Sequence, residues 1–162
     1  MTERKQELTE RIQREFTVCD RHVQRINEAL QGLSSILPIT PETYINPEVE
    51  QVRCIDQFIF RFSKLQDAMG AKLFRYILEL WDEDISYLPM RDILNRLERY
   101  QIIPSASEWV YIRELRNSIA HDYPISEEDN VTILNELISK AEVLSSIYET
   151  LKETVRKTER NR

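Results

Sequence analysis

The sequence predicts an all-α protein, an antiparallel bundle of four long helices plus one short helix. Three observations carry this. Apolar residues recur at steps of three and four along extended stretches, as one buried face of a helix requires. The 162 residues hold only two glycines, and 31% are charged, a composition of long solvated helices rather than sheets. Prolines and Ser-x-x-acid pairs fall between the apolar stripes, where helices stop and start. This length suits one domain, residues 1–162, with a core of its own.

In chain order, Leu8, Ile12, Phe16, Cys19, Val23, Ile26, Leu30 and Leu33 form the stripe of a first helix running from about Thr2 to Gly32. His22 sits at its edge and reads as a boundary residue. Leu37 to Pro41 is a loop, because two prolines block continuation. Asn46-Pro47 resembles an N-cap followed by proline in the first turn. From there Val52, Ile55, Phe58, Phe62, Leu65, Met69, Leu73, Ile77 and Leu80 make a second long stripe. Gly70 interrupts it and points to a close helix approach, since glycine costs about 1 kcal/mol against alanine inside a helix. Arg53, Arg61 and Lys64 lie off the stripe, as solvated surface or as added phosphate contacts.

Asp82-Glu83-Asp84 ends the second helix and reads as a solvated turn. Pro89 opens the short helix with Ile93, Leu94, Leu97 and Tyr100. Ser105 and Glu108 form a capping pair that starts the next helix. Ser126 and Asp129 repeat it, and one last helix carries Val131, Leu134, Ile138, Ala141, Leu144, Tyr148, Leu151 and Val155. From about residue 156 the chain is polar and expected to fray.

The net charge of −6 argues against non-specific nucleic-acid binding through a basic surface. Charge is uneven, however. Residues 1–50 and 122–162 each carry six basic and nine acidic side chains, whereas residues 51–121 carry ten of each. An anion-binding patch therefore belongs in the middle. Cys19 and Cys54 are too few for a disulfide framework or a zinc site and read as small hydrophobes. The charged opening residues are unlike a signal peptide, and no apolar run reaches membrane-spanning length. The expected location is the cytoplasm, with no membrane partner. There is no glycine-rich phosphate loop, no Gly-x-Ser-x-Gly elbow and no metal-ligand cluster, so neither a metal nor a cofactor is expected.

Chemistry is concentrated in Arg113-Glu-Leu-Arg-Asn-Ser-Ile-Ala-His-Asp-Tyr-Pro124. At about 100° per residue, Trp109, Ile112, Leu115, Ile119 and Ala120 share one side of a helix, and Arg116 falls inside their arc. An arginine there needs an anion. Asn117, His121 and Arg113 line the adjoining polar flank. Pro124 disfavours helical geometry at Tyr123, so this helix ends near His121 and Asp122, where its dipole favours a protonated imidazole. A purely structural reading makes His121 a cap, Arg116 a salt bridge to a neighbouring helix, and Tyr123 a packed turn residue.

Arg116, His121 and Tyr123, spaced as R-x4-H-x-Y, resemble the signature of HEPN domains of the HepT type. Asn117 matches that family's usual polar residue after the arginine, and Arg61 to Gly70 is similar to its second-helix segment. The resemblance spans nearly all of the chain. It implies a homodimer with a composite ribonuclease site between subunits, Arg116 and His121 being catalytic, Arg113 and Asn117 supporting. It also implies a separately encoded minimal nucleotidyltransferase as antitoxin, which transfers AMP to Tyr123.

The chemistry of the residues suits what the resemblance implies. RNA cleavage without a metal needs a base for the 2′-hydroxyl and an acid for the leaving oxygen, work suited to histidine. One chain supplies one motif histidine, and a two-fold dimer supplies two. On an ideal helix Arg116 and His121 point about 140° apart, a separation that a partner subunit bridges. The function the resemblance implies is a metal-independent endoribonuclease toxin. The alternatives are a non-catalytic helical module that binds a nucleotide or presents substrate to a partner transferase, and a structural interaction domain.

Overall fold

The computed structural model describes residues 2–120 and 126–162. All of its regular structure among those residues is helical. Helix α1, Glu3–Leu33, starts where the Thr2 hydroxyl accepts the Lys5 N–H at 3.3 Å. A 3-10 turn follows at Ser34–Ile36.

The stretch that reads as a loop through Pro41 is shorter than expected. Pro41–Ile45 is a five-residue helix, α2, capped by Thr40, whose hydroxyl accepts the Thr43 N–H at 3.2 Å. Proline is barred from a helix interior but not from its first turn, where no backbone N–H is needed. Helix α3, Val49–Ala68, begins three residues after the expected cap at Asn46. Its N-cap is Glu48, whose N–H is taken by the Gln51 side chain at 2.9 Å. A π-helical turn at Met69–Leu73 then leads without a break into α4, Phe74–Leu80.

Helix α5, Met90–Arg99, uses Pro89 as N-cap. Helix α6, Ala106–Ala120, begins at Ser105, whose hydroxyl accepts the Glu108 N–H at 3.1 Å. Helix α7, Glu127–Ser139, is capped likewise by Ser126 at 3.2 Å from the Asp129 N–H. The single last helix expected from the sequence is instead two, with α8 spanning Ala141–Arg160 after a break at Lys140. Buried Leu137, Ala141 and Leu144 keep helical spacing through the break, so periodicity alone does not reveal it.

The polar residues from 156 continue α8, which runs to Arg160. Its end is tied down by Trp81, whose indole N–H donates to the Thr158 hydroxyl at 3.0 Å, and by the Arg162 guanidinium on the Leu80 carbonyl at 2.9 Å. Nor is the acidic turn merely solvated. Asp82 pairs with Lys5 at 2.6 Å, and Glu83 takes Arg96 at 2.7 Å together with the Tyr100 hydroxyl. The turn therefore fastens α4 to α1 and α5.

Three cross-helix pairs order α1 against the long helix of residues 49–80. Lys72 meets Glu15 at 2.9 Å, Arg61 meets His22 at 3.1 Å, and the Gln57 amide donates to the Arg25 carbonyl at 2.9 Å. Their positions descend in one helix as they rise in the other, so the two lie antiparallel. Between them Ile12, Cys19, Phe58, Phe62, Leu65 and Ile77 are fully buried. Burial pushes the Cys19 thiol up to about 12, with Glu15 and Asp20 adding to the effect. It remains a protonated hydrophobe. Val52, by contrast, is 40% exposed although it continues the apolar stripe. Tyr148 brings α8 onto α1, its hydroxyl 2.9 Å from the Phe16 carbonyl and 2.7 Å from Asp20. No helix among the described residues is long and apolar enough to cross a membrane.

Helix α6 packs on α3, α5 and α7. Its anchor is Trp109, 2% exposed, with its ring centroid 4.6 Å from that of Phe74. The close approach expected at Gly70 is real: a Cβ there would lie 3.2 Å from Trp109 Cζ2. Gly70→Ala therefore sets a gain of about 1 kcal/mol in helix propensity against overpacking of about 1–3 kcal/mol on the buried indole. The expected outcome is a net loss of stability, read as a lower urea midpoint with an unchanged slope. A rise in the midpoint would show that the indole moves aside freely.

Candidate functional site

Helix α6 carries the motif, and its apolar face falls where the periodicity puts it. Trp109, Ile112 and Leu115 are buried, and Ile119 is half-buried. Arg116 lies two turns beyond Trp109 on the same side of the helix. Its side chain is only 16% exposed, and one terminal guanidinium nitrogen, Nη2, donates to the Asp67 carboxylate at 2.8 Å. Asp67 is the anion that the arc demands. It belongs to α3, 49 residues earlier in the chain.

The pairing is incomplete. Arg116 Nε is buried without a hydrogen-bond partner among the described residues. Gln66, next to Asp67, is 2% exposed, and both its amide oxygen and its amide nitrogen are in the same position. Each such group costs about 1–3 kcal/mol in lost hydration. All three atoms belong to residues lining one cleft of about 230 Å³, walled by Gly70, Ala71, Met90 and Trp109, with Arg113 also on its lining. Its shape follows from the packing. Gly70 has no side chain to fill the space, and the π turn displaces the helix there from regular α geometry.

Arg113 is exposed and also lines a larger groove of about 610 Å³ between α5 and α6, together with Arg91, Asn95, Tyr111 and Glu114. Met90 borders both spaces. Tyr111 is held by its hydroxyl on Glu136. Asn117 is half-buried on the flank of α6. The structure thus brings Arg113 and Arg116 to one cleft. His121 and Tyr123 lie outside the described residues, as do the expected helix end at His121–Asp122 and the turn at Pro124.

Comparison with family models, with curated proteins and with solved structures yields no match.

Gln66 and Asp67 received no role from sequence, although a signal was present. Phe62, Gln66 and Gly70 are successive i+4 positions of one core-facing row, and a glutamine in such a row is as anomalous as Arg116 is in its own. Both residues line the cleft, one from α3 and one from α6.

The remaining histidine forms a separate polar pair. His22 is 8% exposed, and its Nδ1 lies 3.1 Å from Arg61 Nη1. Guanidinium only donates, so Nδ1 accepts and the ring is neutral, with its proton on Nε2. Burial holds the His22 pKa below its ordinary 6.5, and the positive charges of Arg61, Lys64 and Arg21 act in the same direction, against Glu15. His22 does not line the Arg116 cleft. Arg61, expected on the surface, is half-buried instead, because it serves this ring.

A histidine depressed in the fold binds protons less readily than in the unfolded chain. Its contribution is complete above the unfolded value near 6.5 and is lost as pH falls toward the folded one. His22→Gln should therefore narrow the stability gap to wild type as pH drops from 7.5 to 5.5, followed by urea denaturation at each pH. A gap that stays constant would mean that His22 does not titrate in this range.

Proposed function

We propose that this protein is a metal-independent endoribonuclease of the HEPN type, working as the toxin of a toxin–antitoxin pair in the cytoplasm. The observation that carries the reading is Arg116, held by Asp67 at the edge of a polar cleft with part of its guanidinium uncommitted. In this reading the helices form an antiparallel bundle of four long elements and a short one, and two copies pair around the ends of their α6 helices. The composite site then holds two Arg116 and two His121.

The mechanism follows from the chemistry of those groups. Arg116 binds the scissile phosphate through charge-assisted hydrogen bonds and stabilises the charge that builds on it. Asp67 orients the guanidinium by holding one of its arms. A neutral His121 takes the proton of the 2′-hydroxyl, whose oxygen attacks the adjacent phosphorus. A second, protonated His121, from the partner subunit in this reading, delivers a proton to the departing 5′-oxygen. Arg113 extends positive charge along the strand, and Asn117 supports the helix flank beside it. Each step lies within the reach of side chains alone.

Control belongs to Tyr123 in the same reading. A minimal nucleotidyltransferase, a separate polypeptide, joins the phenolic oxygen to the α-phosphorus of ATP and releases pyrophosphate. The resulting AMP group places negative charge and bulk two residues from His121, which repels RNA. The second reading, a non-catalytic nucleotide-binding partner of such a transferase, draws on the unpartnered amide of Gln66.

Arg116→Ala is expected to lower RNA cleavage about 10²–10³-fold by loss of phosphate stabilisation. His121→Ala is expected to lower it about 10²–10⁴-fold by loss of proton transfer. Both should keep the helical circular dichroism, and light scattering on either should give the mass of a dimer. Undiminished cleavage by His121→Ala, or a monomeric wild type, would end the composite-site mechanism. Tyr123 has its own test, intact mass spectrometry after incubation with the partner transferase and ATP. Wild type should gain AMP and Tyr123→Phe should not; an AMP adduct that persists in Tyr123→Phe would move the control elsewhere.

A further inference from the structure

Of the five phenylalanines, Phe16, Phe58, Phe62 and Phe74 are buried and Phe60 is 52% exposed. A single apolar residue on a surface is ordinary. What sets Phe60 apart is its company. The Arg61 guanidinium carbon lies 5.5 Å from the ring centroid and the Lys64 ammonium 5.6 Å from it, both within cation–π range. Among the described residues neither cation is ion-paired with a carboxylate. The positive character reaches α1, where Arg61, Lys64 and Arg21 together disfavour a proton on His22 against Glu15 alone. On a chain of net charge −6 this is a local reversal of sign.

The patch is also in register with Arg116. Phe60 and Asp67 stand seven residues apart within the regular helix Val49–Ala68, so they face nearly the same way, about 10 Å apart along its axis. Asp67 is half exposed and holds the Arg116 guanidinium at 2.8 Å. Lys64 lies between them. An exposed ring, an ammonium on a flexible stem and a fixed guanidinium thus follow one another along one face.

That order suits one kind of ligand. A ring offers its surface to any unstacked base, and Lys64 exchanges a weak contact with the ring for a phosphate. A duplex keeps its base faces inside the stack, out of reach of Phe60. A second copy meeting this patch across a two-fold axis would set like charges opposite one another. We propose that Phe60 is a stacking platform for single-stranded RNA, with Lys64 on the adjoining phosphate, and that it leads the strand to Arg116. The platform deepens the nuclease reading and rests on it for RNA as the strand. Phe60 is a binding residue and takes no part in bond breaking.

The test is fluorescence anisotropy on the full chain with labelled 2′-O-methyl strands, which lack the free 2′-hydroxyl that cleavage requires. The probes are a single strand, its duplex, and an abasic strand with the same phosphates. Wild type should bind the base-bearing single strand about 5–100-fold more tightly than the abasic one, the effect of one stacked base. Phe60→Leu, which keeps an apolar side chain at the surface, should erase that preference, and Phe60→Trp should keep it. Lys64→Gln should weaken both single strands alike and reduce the slope of log affinity against log salt by about 0.7. Equal affinity of wild type for base-bearing and abasic strands, or for strand and duplex, would overturn the proposal without needing a variant. So would a folded Phe60→Leu that keeps the preference. Conversion of a dimer to a monomer by Phe60→Leu, read by light scattering, would overturn it by assigning the ring to a second copy. A base preference that depends on Phe60, in a protein that leaves unmodified RNA intact, would sink the nuclease reading and leave the platform standing.

Discussion

The contact on which this arrangement depends is Trp109 against Gly70. The indole lies where any side chain at position 70 would press on it, with the nearest ring carbon 3.2 Å from an added Cβ. That contact seats α6 on the π turn at the close of α3. The rest is helical arithmetic. Seven residues on from Trp109 is Arg116, three residues back from Gly70 is Asp67, and the two meet at 2.8 Å. One glycine thereby sets both the depth of the tryptophan and the position of the motif arginine.

The same seating explains why polar groups are buried here at all. Phe62, Gln66 and Gly70 form one row on α3, and Trp109 and Arg116 form another on α6. Where an aromatic ring faces a glycine, the rows close; where Gln66 and Arg116 face the cleft, they do not. The ion pair to Asp67 offsets part of the arginine's desolvation, and Asp67 itself remains 54% exposed, so its carboxylate keeps much of its hydration. The guanidinium is thus fixed in direction without being fully consumed. A phosphate-binding arginine needs that combination, since an arginine paired on every side has nothing left to offer a ligand. Arg116 Nε and the Gln66 amide are buried without a hydrogen-bond partner among the described residues.

Elsewhere the fold spends its polar side chains on fastening ends. Lys5 and Asp82 join the start of α1 to the acidic turn, Glu83 receives Arg96 and Tyr100, and Trp81 with Arg162 holds the end of α8. The loop after α1 is fixed by Asn135, which exchanges two hydrogen bonds of 2.8 Å with the backbone of Ile39. These bonds join residues 77 to 96 positions apart in several cases, and each side chain taken alone looks like ordinary solvated surface.

By itself the sequence determined what depends on residues close together in the chain. Helical period, the serine caps at 105 and 126, the apolar face of α6, the tight approach at Gly70 and the unease of Arg116 among core residues are all local, because a helix turns every 3.6 residues whatever packs against it. The tertiary structure alone decided the partners. That Asp67 answers Arg116, that Gln66 shares its cleft, that His22 is buried against Arg61, and that the tail is helical to Arg160 all depend on which helix lies beside which. So does the break at Lys140, where the apolar spacing continues although the helix does not. Periodicity states which face must be buried but not what will cover it, and a polar residue on that face gains its meaning only from the side chain that arrives opposite.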